Sequence, residues 1–557
     1  MPEVAASVRL GRTLAQLLVI ALFVAPLALA LPWALIDGAS PEGWRALIDD
    51  PQTPGALRAT LFSAVASTAL ALGLTLLVVT QLHGGSWWPR LAGVLSPMLA
   101  VPHAAFAIGL AWLIAPAGWL ARALAPLAGW SAPPPWQTVN DPQALALVTV
   151  LVLKETPFLV WNVVALLSRP ESALALRREQ AVARSLGYTP RALWWRVTWL
   201  LWLPRLAWPL MAVLAYGLTV VDLALIIGPG SPPTLAVLAW QGLADGNVAR
   251  NAQGAATALA LALLLGMLVL GTALAWRMVQ PLWRLRATRG DRGATLAQAG
   301  PAWRGVAGLG AVAAVYVLVL LALAVLSAAG VWTFPALWPP QPSSDAWLQV
   351  HASSPTVVFT ALLALAAAAI SVLLAVAWLE AAPARWDARA APVVLLPLVL
   401  PQLLLMVGLY HAALLVQLDG TWLGLLWVHV LVVLPYVFTA LAPAWRSFDV
   451  RYEWTALALG RRRWHYWWRV KWPMLAAPLA SALAIGFAVS VAQYLATQFI
   501  GAGRHATLTT EAVTLASGGQ RSLAAAFALL QAVLPLLAFG AAHVVASRLQ
   551  RARTMPG

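Results

Sequence analysis

Twelve apolar stretches, each about 20 residues or longer, recur along this chain of 557 residues. They lie near 13–36, 57–82, 91–116, 144–168, 205–229 and 254–278, then near 305–331, 355–379, 391–416, 420–442, 474–500 and 522–546. At ~1.5 Å per residue, each can cross ~30 Å of hydrocarbon as a helix. A soluble domain carries about 25% charged residues. This chain has 10%, with 61% hydrophobic, too little charge to cover a water-facing surface. The expected fold is all-α and polytopic, with about 12 transmembrane helices; a soluble enzyme, a DNA-binding protein and a single-span receptor are excluded. The first stretch follows Arg9 and Arg12 as a signal peptide would. Its apolar run exceeds the ~7–15 residues of a signal core, so it is read as a span.

The net charge of +16 orients the chain and does not signal nucleic acid. With the N-terminus placed in the cytoplasm, 28 of the 35 Lys and Arg fall in inside segments, the positive-inside pattern. Seven lie between Arg169 and Arg205 and seven between Arg446 and Lys471. Both termini are then cytoplasmic. Outside loops carry Asp37, Glu42, Asp49, Asp50 and Asp345, with clusters such as Trp332-Thr-Phe-Pro and Trp338-Pro-Pro suited to a membrane-interface belt.

The chain repeats itself. Trp194-Trp-Arg-Val-Thr-Trp199 returns as Trp467-Trp-Arg-Val-Lys-Trp472, an offset of 273. The same offset carries Ala183, Leu186 and Gly187 onto Ala456, Leu459 and Gly460, and Gly228, Gly230, Thr234 and Leu235 onto Gly501, Gly503, Thr507 and Leu508. Two homologous six-span halves in the same orientation are expected, 1–290 and 291–557. The core of the repeat falls in the basic loop between the fourth and fifth spans of each half, at 176–204 and 449–473. There Glu179 to Gly187 reads as a short helix closed by a left-handed glycine, and Thr189-Pro190 starts a second helix. Such a bent helix pair fits a knuckle that enters a groove on a partner, and equally a pair of helices lying on the bilayer lipid.

The pattern Ala183-Arg-Ser-Leu-Gly187, with Val197 ten residues on, resembles the EAA loop of ABC importer permeases. In the second half Ala456, Gly460, Val470 and Pro473 keep the spacing. Leu200 stands at the first half's proline position, and Ala181 and Trp454 stand where the family has Glu, with Glu179 and Glu453 nearby but out of register. The resemblance covers nearly the whole chain. It points to fused permeases with two domains of the binding-protein-dependent, MetI-like kind, of the ferric-iron, thiamine and YnjC type. It implies a bacterial inner-membrane importer subunit. Its partners would be two copies of an ABC ATPase at the cytoplasmic face and a periplasmic solute-binding protein.

No catalytic cluster, cofactor motif or metal-ligand spacing is visible. The two lysines, Lys154 and Lys471, follow Leu153 and Val470, so neither is the lysine of a Gly-Lys-Ser/Thr phosphate loop, and ATP hydrolysis is expected on another chain. The alternative is a twelve-span secondary transporter driven by an ion gradient. Its repeated basic signature would sit between spans two and three, where only 81–90 is found. Lys154 and Glu155 in the fourth span and Asp222 in the fifth are charges at membrane depth. They are read either as a structural ion pair between helices, for example Lys154 with Asp222, or as a translocation pathway. Gly228-Pro-Gly230 and Gly501-Ala-Gly503 are read as simple reversals or as a periplasmic gate. Pro97/Pro102 and Pro397/Pro401 are expected to kink the third spans.

Overall fold

A computed structural model describes residues 2–288 and 303–554. Among them the regular elements are helices, the form in which a backbone crossing hydrocarbon satisfies its own hydrogen bonds. Ten helices are long and apolar enough to cross a membrane, or up to twelve if two bent pairs each count as one span. Those pairs are Ala384–Val399 with Gln402–Leu415, bent by 103°, and Arg463–Met474 with Ala476–Val491, bent by 71°. The expected boundary between halves, at 290/291, lies outside the described residues.

The third spans are broken where kinks were expected. In the first half, helix Leu91–Ala100 stops and helix His103–Ile114 begins after Val101-Pro102. In the second, Leu400-Pro401 separates Leu396–Val399 from Gln402–Leu415. A proline lacks the N–H that would continue the ladder and drives its predecessor out of the helical region. Val101 and Leu400 are accordingly extended, with ψ 121° and 141°.

The first span does not pack with its own sequence neighbours. Helix Ala25–Gly38 lies on Gln402–Leu415, and in the reciprocal arrangement Trp303–Ser327 lies on His103–Ile114. Each crossing is closed by a glycine. A Cβ on Gly408 would stand 2.1 Å from the Ala30 carbonyl oxygen, and one on Gly109 2.7 Å from Val319 Cγ1. At the end of the first crossing His411 Nε2 meets Asp37 Oδ2 at 2.5 Å, with Trp33 stacked on the imidazole.

Thirty residues separate Ile114 from Leu145, against six between Leu415 and Trp422. The longer connection holds helix Trp119–Ala128, whose Arg122 is 2% exposed. A buried guanidinium is costly unless its donors are used. Here Nε donates to Ala117 O (2.8 Å), Nη1 to Thr333 O (2.8 Å) and Ala336 O (2.7 Å), and Nη2 to Trp332 O (3.1 Å). The Trp332 ring lies 4.7 Å from the charge. Trp332, expected in an interface belt, thus packs on the arginine that fastens the exchanged helix.

Candidate translocation pathway and coupling loops

The two repeated loops have the same backbone. Helix Pro170–Ser185 ends at Leu186, Gly187 takes φ +84°, and the Tyr188 N–H donates to Ala183 O at 3.1 Å. Helix Arg451–Ala458 ends at Leu459, Gly460 takes φ +71°, and the Arg461 N–H donates to Ala456 O at 3.0 Å. With Gly187 N–H to Arg184 O and Gly460 N–H to Leu457 O, each is a Schellman closure, which needs a left-handed residue at the glycine position. The hydroxyl of Thr189 then caps the next helix through Ala192 N–H. Beyond each bend the Trp-Trp-Arg-Val repeat winds as a π-helical turn, Trp194–Thr198 and Trp467–Lys471. Val197 and Val470 are half-buried in these turns, and Pro473 lies just after the second.

The out-of-register acids brace the bends. Glu179 accepts from Trp202 Nε1 at 2.8 Å, and Glu453 lies 3.2 Å from Arg463. Behind the second loop sits an ionic cluster whose basic members, Arg446 and Lys471, count in the sequence only toward orientation. Arg446 grips Asp387 through Nε (2.6 Å) and Nη2 (2.8 Å), and Lys471 bonds Glu380, which also accepts from Trp445 Nε1. At the corresponding place the first half is neutral: Trp199 Nε1 donates to Thr80 Oγ1 at 3.0 Å.

Lys154 and Asp222 do not form an ion pair, the example offered for the structural reading. Lys154 is 3% exposed, and its ammonium donates to Val101 O at 2.6 Å and Met98 O at 3.3 Å. The Met98 carbonyl is the one orphaned by Pro102, whose nitrogen carries no hydrogen. The neighbouring Glu155, 6% exposed, reaches the other side of the same break, with Oε1 3.3 Å from His103 Nε2. Thus Lys-Glu on helix Leu145–Leu167 sets a cation at the C-terminal end of one half-helix and an anion at the N-terminal end of the next. Both placements suit the helix dipoles. Pro157 and Pro435 align the fourth spans, so Val432 and Val433 occupy the equivalent sites. The second half stabilises its breaks with neutral groups: Gln402 Nε2 donates to Gln493 Oε1 at 2.9 Å, and His429 bonds Ser490 and Thr497.

Asp222 begins helix Asp222–Ile227, after a break at Val220-Val221 that interrupts the fifth span. It is half-buried and accepts from the Leu223 N–H. The second half breaks at the matching place, between Ala476–Val491 and Leu495–Gly501.

The glycine loops differ from a shared reversal. Gly228 is extended, at φ −75°, and what requires it is proximity: a Cβ would stand 2.7 Å from Ala224 O. Gly230 is exposed and faces open space. In the second loop Ala502 (φ 47°) and Gly503 (φ +72°) make the turn, while Gly501 stays helical. What the loops share lies just beyond: Leu235 N–H donates to Thr60 Oγ1 at 2.8 Å, and Leu508 N–H to Thr360 Oγ1 at 3.0 Å.

Over 533 residues the chain is 36% identical to the inner membrane ABC transporter permease protein YnjC of Escherichia coli (strain K12), covering 95% of each protein. Over 131 residues it is 30% identical to the molybdenum transport system permease protein ModB of Mycobacterium bovis and of Mycobacterium tuberculosis. That match covers 21% of this chain and 50% of each relative. No protein-family model matches, and no solved structure gives a significant match. Near-complete coverage by an inner-membrane permease, over an all-helical bundle of ten to twelve candidate spans, means that this chain belongs to the ABC transporter permease family.

Proposed function

We propose that this permease imports a small solute delivered by a periplasmic binding protein, using two fused halves, 1–290 and 291–557, that each engage one copy of an ATPase. As an ABC permease the chain is not itself an enzyme, is a multi-pass inner-membrane protein, and works with an ATPase subunit. The observation that carries the finer reading is the pair of identical Schellman bends, at Gly187 and Gly460, on the two most basic loops. Apolar side chains stand exposed beside them, Val182 and Leu186 at the first and Trp454, Leu459 and Trp464 at the second. In this reading Ala183, Glu179 and Val197, with Ala456, Glu453, Val470 and Pro473, shape the two coupling knuckles, and both termini are cytoplasmic. ATP draws the ATPase copies together, the knuckles follow, and the halves turn from inward-open to outward-open. Coupling is the differential affinity of the two states for nucleotide and loaded binding protein. Gly228, Gly230, Gly501 and Gly503 border the periplasmic rim. Thiamine and ferric iron are the solutes to test first; the similarity to ModB, a molybdenum transport system permease protein, adds molybdenum.

The purified chain is expected to hydrolyse no ATP above background, and with its ATPase to show hydrolysis stimulated by the loaded binding protein. Uptake by this chain alone, driven by a proton or sodium gradient, would favour the secondary-transporter alternative.

The bends give a second test. Around Gly460 a Cβ would meet nothing within 4 Å, so Gly460→Val strains the backbone alone, by roughly 1–2 kcal/mol for a left-handed residue. Gly460→Val and Gly187→Val should each lower ATPase copurification several-fold while the bundle remains inserted and folded. Undiminished ATPase recovery in both variants would remove the bends from the coupling role.

A further inference from the structure

Four breaks interrupt the third and fifth spans, and charged or aromatic side chains stand beside three of them. His103, beside the Pro102 break, holds Glu155 at 3.3 Å and lies ring to ring with Tyr216 at 4.8 Å. Asp222 stands at one fifth-span break and Tyr494 at the other. Tyr216 precedes Asp222 by six residues across the fifth-span break, and its helix, Ala207–Thr219, packs on Leu396–Val399 of the second half; that segment and helix Leu495–Gly501, headed by Tyr494, both pack on Trp422–Arg446, which carries Tyr436.

Three observations say that this region faces an open interior. Helix Trp422–Arg446 is almost wholly buried around its middle, yet Tyr436 is 38% exposed, and Thr439 one turn on is exposed too. Tyr494 is 6% exposed, and its hydroxyl, without a hydrogen-bond partner among the described residues, is not fully enclosed. His103 keeps about a third of its side chain accessible.

The charge balance of the region is acidic. Lys154, whose ammonium donates to two backbone carbonyls and lies 5.7 and 5.3 Å from the Phe106 and Tyr316 rings, offsets the adjacent Glu155 in sign and leaves Asp222 over. Among the described residues no cation lies within ion-pair distance of Asp222. Carboxylates and the faces of tyrosine rings attract one class of solute in common.

We propose that Asp222, Glu155, Tyr216, Tyr436 and Tyr494 form a binding site for a cationic solute, lodged between the two fifth-span breaks. The site deepens the permease reading and rests on it for its role in transport. Asp222 supplies the uncompensated charge. Glu155 and His103 shape one wall, and the exposed ring of Tyr436 and the unbonded hydroxyl oxygen of Tyr494 face a cation that has shed part of its water. A second-half counterpart of Asp222 is absent, since Leu495 stands there, so the solute sits off the axis, nearer the first half.

The chain has no cysteine, which makes the test direct. Thr439→Cys is purified in detergent and treated with two methanethiosulfonates of similar size, one bearing a trimethylammonium and one a sulfonate. Ser517→Cys, exposed outside the bundle, gives the reference ratio. A cavity lined by one sign of charge concentrates counter-ions on the order of tenfold or more. The cationic reagent should therefore be favoured at Thr439→Cys about tenfold over the reference. Asp222→Asn should remove most of that preference, and Tyr494→Phe, which keeps the ring, should leave it. A ratio equal to the reference, a ratio unmoved by Asp222→Asn, or no labelling by either reagent would overturn the proposal. Labelling needs neither ATPase nor uptake, so a chain that labels as expected but fails to couple ATP would fault the permease mechanism and leave the site standing.

Discussion

Gly408→Ala should cost on the order of 3 kcal/mol or more and leave little folded protein. The added methyl would fall 2.1 Å from the Ala30 oxygen and 2.6 Å from its carbonyl carbon, so the obstacle is backbone. Overpacking that flexible side chains absorb costs ~1–3 kcal/mol. Here the relief must come from moving helix Ala25–Gly38 bodily off Gln402–Leu415, which also parts His411 from Asp37. Gly310→Ala is the control, because its Cβ would meet nothing within 4 Å. Melting temperature and folded yield of the two variants decide the matter. A Gly408→Ala protein that melts with the wild type would show that the crossing is loose.

Lys154→Met should be nearly as damaging, and its pattern of rescue is diagnostic. The substitution leaves the buried Met98 and Val101 carbonyls without their donor. An unsatisfied buried group costs ~1–3 kcal/mol, so two place the loss at roughly 2–6 kcal/mol. Were the lysine paired with a carboxylate, neutralising both partners would restore stability. With carbonyls as partners it should not: Lys154→Met combined with Asp222→Asn should melt no higher than Lys154→Met alone. Lys154→Gln, which retains two N–H donors, should fall between Met and wild type. Recovery in the double variant would reinstate an ion pair.

These two sites also show what the sequence could and could not disclose. Span lengths and the glycine bends are local properties, carried by runs of apolar residues and by Gly187 and Gly460, and they are legible without coordinates. The breaks were half legible: Pro102 and Pro401 announced a disturbed helix, but the 103° turn depends on what packs against the freed ends. Lys154 was conspicuous and its partner was not, because a backbone carbonyl has no letter. The same holds for Arg122, whose four acceptors are all carbonyls, three of them more than 200 residues away. The ionic cluster of Glu380, Asp387, Arg446 and Lys471 was hidden differently, since basic residues near a membrane face have a sufficient explanation in orientation alone.

The exchange of first helices has a consequence for synthesis. Ala30 and the Gly408 it touches are 378 positions apart, so the groove that receives the first span emerges late from the ribosome. At ~5–20 residues per second, that helix resides in the bilayer for roughly 20 to 75 s before the Gly408 segment exists, with helix Val248–Thr288, its other neighbour, made in between. An amphipathic segment would spend that interval with polar groups in hydrocarbon or seek another mate. Helix Ala25–Gly38 carries no charge before Asp37, and the face it later buries, Leu27, Ala30 and Ala34, is as content among acyl chains as against protein. Its uniform oiliness is therefore a property of the nascent chain as much as of the finished bundle, a provision for a partner not yet made.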